Sequence, residues 1–345
     1  MYLCRIQSSG MKKDVIQLTA NLLFTSITIG LPTEMNINQL LATHHLGTLL
    51  QVNETKEGAM KQTLSVSSTK GNWIFKGNPV YEGQLEEEKF FIDALAEKTT
   101  VNLPIPYRIH PDAEPLGFAC SIMPTLPGKH LHDLENELTH QDRMSIAGKL
   151  ATLLKELHAW QGETYGQLDP IKHTIVPFES SYKDWLFNRI VYWFHDAKQY
   201  STLMEADENW LKNELHNAEE AFTKARDPRF IMGDFKPGNF LLEEKNGDWA
   251  VSGLFDFTNS YFADPLTDLT KMILYYDRHE QVEIGKFFIS QYVTNDQLEV
   301  QQRLRIHLLH QLVLDWGFFH AMEKPINVSF EKWVKTRLAR FGLDE

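Results

Sequence analysis

The sequence predicts an α+β protein of two unequal lobes, a small antiparallel sheet with one helix followed by a larger, mainly helical part. Three observations carry that expectation. Short runs of β-branched and apolar residues crowd the first third of the chain, long segments of helical periodicity fill the rest, and the character changes at Pro127-Gly128. A chain of 345 residues is about two domains at ~150 residues each, or two lobes of one fold.

Residues 1–35 read as an N-terminal extension. From Met11 a basic pair precedes a loosely apolar stretch, so a secretory signal is conceivable, but Asp14, Gln17, Thr19, Asn21, Thr25, Ser26 and Thr28 interrupt the apolar core such a signal needs. The same residues exclude a membrane span, which needs ~20 predominantly apolar residues. Met35 is an alternative start. The small lobe is expected over 36–126. Leu46 to Val52, Lys61 to Ser68 and Asn72 to Lys76 read as consecutive antiparallel strands, punctuated by Gly58 and Lys70-Gly71. Gln84 to Lys98 is helical, with Phe91, Ile92 and Leu95 on one face and Glu86, Glu87 and Glu88 in the first turns, where acids suit the helix dipole. Gly117 to Met123 reads as a buried strand ending at Pro124. The helical lobe is expected over 127–345. Asp142 to Trp160 carries Ile146, Leu150, Leu153, Leu154 and Leu157 at helical spacing, and similar patterns follow at Trp185 to Phe194, Trp210 to Ala225, Leu269 to Tyr276 and Leu304 to Met322.

Hydrophobic residues make up 43% of the chain and charged residues 23%, a globular composition. With 34 Lys+Arg against 46 Asp+Glu the net charge is −12, which argues against nucleic acid as a partner and mildly favours a cationic ligand. Cys4 and Cys120 supply neither a disulfide framework nor a thiolate cage, so a reducing cytoplasm is the expected compartment.

The most informative segment is Phe230-Ile231-Met232-Gly233-Asp234-Phe235-Lys236-Pro237-Gly238-Asn239-Phe240, an apolar entry, a polar loop and an apolar exit. A second apolar strand, Val251 to Phe257, ends in Asp256-Phe257-Thr258. Two carboxylates and an amide at neighbouring strand ends suit a divalent cation, because Mg²⁺ takes hard oxygen ligands, one or two carboxylates plus phosphate oxygens. A carboxylate there can also orient an attacking hydroxyl and accept its proton.

These motifs resemble the eukaryotic-like kinase superfamily, and within it the aminoglycoside phosphotransferase and choline kinase branch. That branch typically shows H-G-D-x-x-x-x-N, then I-D-F/W, then G-D-P-x-x-D-L. Here Met232-Gly233-Asp234 with Asn239 is followed by Phe255-Asp256-Phe257 and by Ala263-Asp264-Pro265-Leu266-Thr267-Asp268-Leu269. The resemblance covers about residues 40–320, with its specificity between 230 and 270, and implies a bilobal protein-kinase-like fold. It implies Asp234 as the base, Asn239 and Asp256 as Mg²⁺ ligands, and Lys236 as a cation facing the transferred phosphoryl group. Asp268 would cap the following helix or brace the loop. Upstream, Lys76 would grip the phosphates of ATP or GTP with Glu88, or alternatively Glu87, as its helical partner. Pro124 and Leu126 would meet the base at a hinge over 123–128, and Asn53 to Met60 would cover the phosphates although it has only Gly58. Met232 stands where the branch has His, keeping apolar volume and losing a hydrogen bond.

About seventy residues, 161–229, separate the helix ending at Trp160 from the catalytic loop. That resembles small-molecule kinases, which use such an insertion with the C-terminal helices to hold the acceptor; no activation segment of the protein-kinase kind follows Asp256. The resemblance implies an enzyme phosphorylating a hydroxyl of a small molecule, with a nucleotide-binding regulator lacking catalysis as the alternative and a protein kinase less favoured. Asp184, Asp315 and Glu323 are acids that could meet a cationic acceptor, although solvated surface charge is the plainer reading of each.

Overall fold

The computed structural model describes residues 31–55, 62–77, 79, 81–225, 227–293, 298–324 and 326–344. Helix α1 (Glu34–Thr43) opens the described chain, with the Thr33 hydroxyl accepting from Asn36 N at its N-cap. Strands β1 (Leu49–Glu54), β2 (Thr63–Ser68) and β3 (Gly71–Gly77) follow, then helix α2 (Gln84–Ala96) and strands β4 (Arg108–His110) and β5 (Cys120–Pro124). The five strands form one antiparallel sheet in the order β1-β2-β3-β5-β4. On β2, side chains alternate so that Leu64, Val66 and Ser68 are buried, as period-two geometry requires.

The sequence leads to one helix in this lobe, and the structure has two. Residues Ile37, Leu40 and Leu41 of α1 pack with Leu64, Val66, Phe75, Phe118 and Ile122 in a core of their own, so the folded unit includes Glu34 and Met35, which the expected extension had claimed. Phe91, Ile92 and Leu95 of α2 join the larger core instead, together with Tyr107 and Met123. Helix α2 therefore ties the sheet to the rest of the molecule.

That larger part contains α3 (Leu131–Leu134), α4 (His140–Leu157), β6 (Gly166–Asp169), β7 (Thr174–Pro177), α5 (Tyr182–Ala197), α6 (Glu205–Asn217), α7 (Glu219–Lys224), β8 (Arg229–Ile231), β9 (Phe240–Lys245), β10 (Asp248–Leu254), β11 (Tyr261–Ala263), α8 (Thr270–Arg278), α9 (Val282–Tyr292), α10 (Leu298–Ala321) and α11 (Phe330–Arg340). Helix α4 begins at a capping box in which Thr139 and Asp142 satisfy each other's backbone N–H groups. The insertion over 161–229 is not wholly helical, since β6 and β7 lie within it and build a four-stranded sheet in the order β7-β6-β11-β8.

Sheet pairing explains how the two polar loops meet. Strand β8 pairs with β11, whereas β9 pairs with β10. The segment from Ile231 to Phe240 and the segment from Leu254 to Tyr261 therefore both cross from one sheet to the other. The entry and exit strands around Asp234 do not form a hairpin. Phe255 N donates to Asn239 O at 3.1 Å and joins the two crossings.

Candidate active site

The turn and the polar residues of the crossing from β8 are held by nameable contacts. Gly233 has φ +72°, and a Cβ there would lie 2.1 Å from Asn259 O, so only glycine fits. Its N–H and that of Met232 both donate to the Asp268 carboxylate, at 2.7 and 2.6 Å. Asp268 in turn meets His158 Nε2 at 3.1 Å, and His158 Nδ1 meets the Tyr292 hydroxyl at 2.6 Å. Of the two roles considered for Asp268, bracing the loop is the one these contacts describe. The brace grips backbone, so the Met232 side chain, fully buried among apolar neighbours, is not what fixes the turn. Replacing Gly233 with Ala is expected to destabilise the protein by about 1–3 kcal/mol through strain, read as a lowered midpoint in chemical denaturation; an unchanged midpoint would show that the turn relaxes.

The Asp234 side chain is completely buried between two lysines. Lys236 Nζ lies 2.7 Å from Oδ2 and Lys271 Nζ bonds Oδ1. Asn239 Nδ2 donates to the Asp234 backbone oxygen at 2.8 Å and to Oδ2 at 3.0 Å. Burial alone would raise the Asp234 pKa, but the Lys271 and Lys236 ammonium groups hold it below the ordinary carboxylate value, with Asp256 opposing them. Asp234 is therefore ionised at neutral pH.

Asp256 adopts φ +68°, a left-handed conformation that Asp tolerates at a cost. Its Oδ1 accepts from the Thr258 hydroxyl at 2.8 Å and from Lys76 Nζ at 2.7 Å. Lys76, on β3, also bonds both oxygens of Glu88, at 3.1 and 3.3 Å. Burial lowers the lysine's pKa, but Asp256 and Glu88 outweigh it and push the ammonium above its ordinary value. Glu88, not Glu87, is the partner; Glu87 accepts from the Tyr81 hydroxyl at 2.8 Å. The Tyr107 hydroxyl donates to Glu88 at 3.0 Å and completes its shell.

Lys76, Glu88 and Asp256 form one polar group and Asp234, Lys236 and Asn239 a second; the Phe255 N to Asn239 O bond joins their segments, and the two are near enough for the Asp256 charge to act on Asp234. Asn239 and Asp256 present the hard oxygens that Mg²⁺ prefers. Among the described residues no group of three or more His, Cys, Asp or Glu side chains is placed to hold a metal ion by itself. A cation at these two residues would complete its shell from phosphate oxygens and water, as Mg²⁺ does.

At the hinge, Trp73 faces Pro124 across β3 and β5. Thr125 N donates to Asn72 O at 3.0 Å, which makes that a non-hydrogen-bonded pair and turns the Pro124 carbonyl away from β3. Leu126 packs over Gly253, where a Cβ would lie 2.8 Å from its side chain. Gly128, at φ +112°, lets the chain run against β9, with Lys129 and Leu242 exchanging backbone bonds of 2.9 Å. Of the turn expected to cover the phosphates, residues 56–60 lie outside the described residues, and Asn53 and Glu54 end β1.

The sequence reading missed Lys271, Tyr107 and His158. Lys271 carried a signal nonetheless, because a cation in the first turn of a helix opposes the helix dipole and calls for a local carboxylate. A cavity of about 260 Å³ opens beside Asp234, Lys236 and Lys271, walled by α8 and α10. No residue of 161–229 lines it, and of the three acids suggested for a cationic acceptor only Asp315 does. Burial raises the Asp315 carboxyl above the ordinary value against the opposing Arg278. Asp184 lies in the first turn of α5, accepting from the hydroxyl of the N-cap Ser181 and in contact with Lys183, and Glu323 is exposed.

Solved structures share this architecture. Aminoglycoside 2'-phosphotransferase-IIIa in its GDP complex is 17% identical with a TM-score of 0.61, over 90% of this chain and 98% of that one. The GDP and kanamycin complex of APH(2")-IIia gives 0.64 at 17% identity over the same shares. A thermostable mutant of the aminoglycoside phosphotransferase APH(4)-Ia, in ternary complex with ADP and hygromycin B, gives 0.59 at 15% identity, covering 90% of this chain and 98% of that one. These likenesses establish the bilobal kinase-like fold. No curated protein sequence matches the chain. No helix among the described residues is long and apolar enough to cross a membrane. The profile of the phosphotransferase enzyme family matches residues 52–305, more than half of the sequence, and the chain belongs to that family.

Proposed function

We propose that this protein transfers the γ-phosphoryl group of ATP or GTP to a hydroxyl of a small molecule, with Mg²⁺ held at Asn239 and Asp256. The observation that carries the proposal is the meeting of two polar groups, Lys76 with Glu88 and Asp256, and Asp234 with Asn239, on two crossings joined by the Phe255 N to Asn239 O bond. The neighbouring structures bind GDP or ADP together with kanamycin or hygromycin B, which supports a nucleotide donor and a small acceptor.

In this reading Asp234, ionised and fixed by Asn239, orients the acceptor hydroxyl and takes its proton. The hydroxyl oxygen bonds to the γ-phosphorus as the bond to the bridging oxygen breaks, and the nucleoside diphosphate leaves with that electron pair. Lys76, kept in place by Glu88, holds the donor's phosphates. Lys236 is within reach of both Asp234 and the space in front of it, where a cation stabilises charge spread over the transferred group. Mg²⁺, when bound, would supply further charge neutralisation at the phosphate oxygens.

The test is ADP release over a panel of aminoglycosides, macrolides, choline, homoserine and ketoamine sugars, run beside thermal shift with Mg-ATP. Phosphorylation of a panel member supports the reading. A nucleotide-dependent shift with no ADP release from any acceptor favours a regulator without catalysis, and no shift sinks both. Lys76→Met is expected to abolish the Mg-ATP shift and also to lower the apo melting temperature, because it leaves the buried Glu88 carboxylate without its cation, so the shift is read against the variant's own apo midpoint. A retained shift would remove Lys76 from the donor site.

A further inference from the structure

We infer that the acceptor is an amphipathic hydroxy acid, bound with its hydroxyl at Asp234, its anionic oxygen group at Arg278 and an aliphatic middle between Leu274 and Phe318. The inference rests on the phosphotransfer reading of the same site and narrows it.

The cavity beside Asp234 is built from two facing helices. Lys271, Leu274 and Arg278 recur on α8 at the spacing of one helical face, and Leu314, Asp315 and Phe318 do so on α10. Lys271 reaches back to Asp234 and Gly233 O, at the chemical end. Arg278 lies seven residues on, ~10 Å along the helix axis, at the far end. Leucine and phenylalanine side chains line the space between, so the middle of the site favours apolar contact over a polyol or a polyamine.

Charge points the same way. Lys236, Lys271 and Arg278 face the cavity against Asp234 and Asp315, one more cation than anions. A polycationic acceptor would meet two basic side chains on α8 alone. Arg278 meets Asp315 by one contact of 3.4 Å, longer than the 2.7–3.2 Å of a well-formed bond, while Gln311 Nε2 holds the other Asp315 oxygen at 2.8 Å. The guanidinium has five donors in a fork that matches carboxylate and phosphate oxygens. Such a loose contact, with the Arg278 side chain half-exposed, adds little as a brace between helices, and it suits a guanidinium that turns toward a ligand. A cavity of about 260 Å³ also falls below the ~300–1,000 Å³ usual for drug-sized ligands, which favours a single short chain over linked rings.

The experiment uses chain-length series of ω-hydroxycarboxylates, ω-hydroxyalkyl phosphates, ω-amino alcohols and diols, with kanamycin as the polycationic control. Binding is read by calorimetry with and without Mg-ADP, and turnover by ADP release from Mg-ATP. One acid series is expected to bind and to be phosphorylated at its hydroxyl, and whether carboxylate or phosphate does so identifies the anionic group. Amino alcohols and diols of matched length are expected to bind at least tenfold more weakly. Arg278→Gln is expected to weaken acid binding about tenfold or more, the loss of a charge-assisted contact, and Arg278→Glu to shift preference toward the amino alcohol. Equal or tighter binding of amino alcohols or kanamycin overturns the inference, as does acid affinity indifferent to Arg278→Gln. Failure of Mg-ATP to support turnover of any compound counts against phosphotransfer instead, and acid binding with its dependence on Arg278 then decides the inference on its own.

Discussion

Asp234→Asn is expected to lower turnover by about 10²–10⁴-fold, the usual contribution of a positioned general base, while Mg-ATP binding is unchanged. The substitution is close to isosteric and keeps one oxygen for Asn239 Nδ2. It removes the charge that Lys236 and Lys271 share, but both lysine side chains are about a quarter exposed and can turn to solvent, so the fold is expected to survive. The proposed donor site rests on other residues, Lys76, Glu88 and Asp256. A pH profile adds a second readout. Because the neighbouring ammonium groups hold Asp234 below the ordinary carboxylate value despite its burial, its carboxylate begins to protonate only at a lower pH than a free one would. Wild-type kcat/KM should therefore show no acid limb from this residue between pH 5 and 8, the interval where only groups with shifted or imidazole-like values titrate. Unchanged turnover in Asp234→Asn would remove Asp234 from the base role, and weakened nucleotide binding would relocate it to the donor site.

How much of this was legible in sequence follows from what each residue depends on. Asp234, Asn239, Asp256 and Asp268 lie within 35 residues of one another at spacings a motif can register, and the structure places the first three in two touching crossings and Asp268, after β11, against the backbone of the first. Lys76 and Glu88 were also readable, because a strand-end lysine and a first-turn acid can meet across a sheet and its helix; choosing Glu88 over Glu87 needed the helix phase, which one sequence with three consecutive glutamates does not settle. Helix α1 was illegible for a different reason. Its buried apolar residues number three, and their burial depends on Phe118 and Ile122, far along the chain. Strands β6, β7 and β11 are three or four residues long, too short for alternation to register, and they exist through pairing with one another. The cavity beside Asp234 could not be read at all. Lys271 and Arg278 face Asp315 only because α8 and α10 pack together, and no local pattern encodes that approach.

Asp268→Ala is the substitution expected to damage the fold most. Its carboxylate is buried, with the whole residue 3% exposed, and it receives three donors: Met232 N, Gly233 N and His158 Nε2. Truncation leaves two backbone N–H groups without their acceptor in a place water reaches poorly, at about 1–3 kcal/mol each, and opens a small void against His158. A total loss of about 2–5 kcal/mol is expected in chemical denaturation. Asp268→Asn separates two contributions. An amide keeps one acceptor oxygen but presents an NH₂ group to the second N–H, so it should recover only part of the stability. Turnover should follow the loop and not global stability: under conditions where the Ala variant remains folded, released Gly233 no longer fixes Asp234, and kcat falls while Mg-ATP still produces its thermal shift through Lys76. If the Ala variant unfolds at the wild-type midpoint, the carboxylate does not carry the loop. The strain at Gly233 would then have to be balanced from the other side of the crossing, where Lys271 bonds the Gly233 carbonyl and the Asp234 carboxylate together.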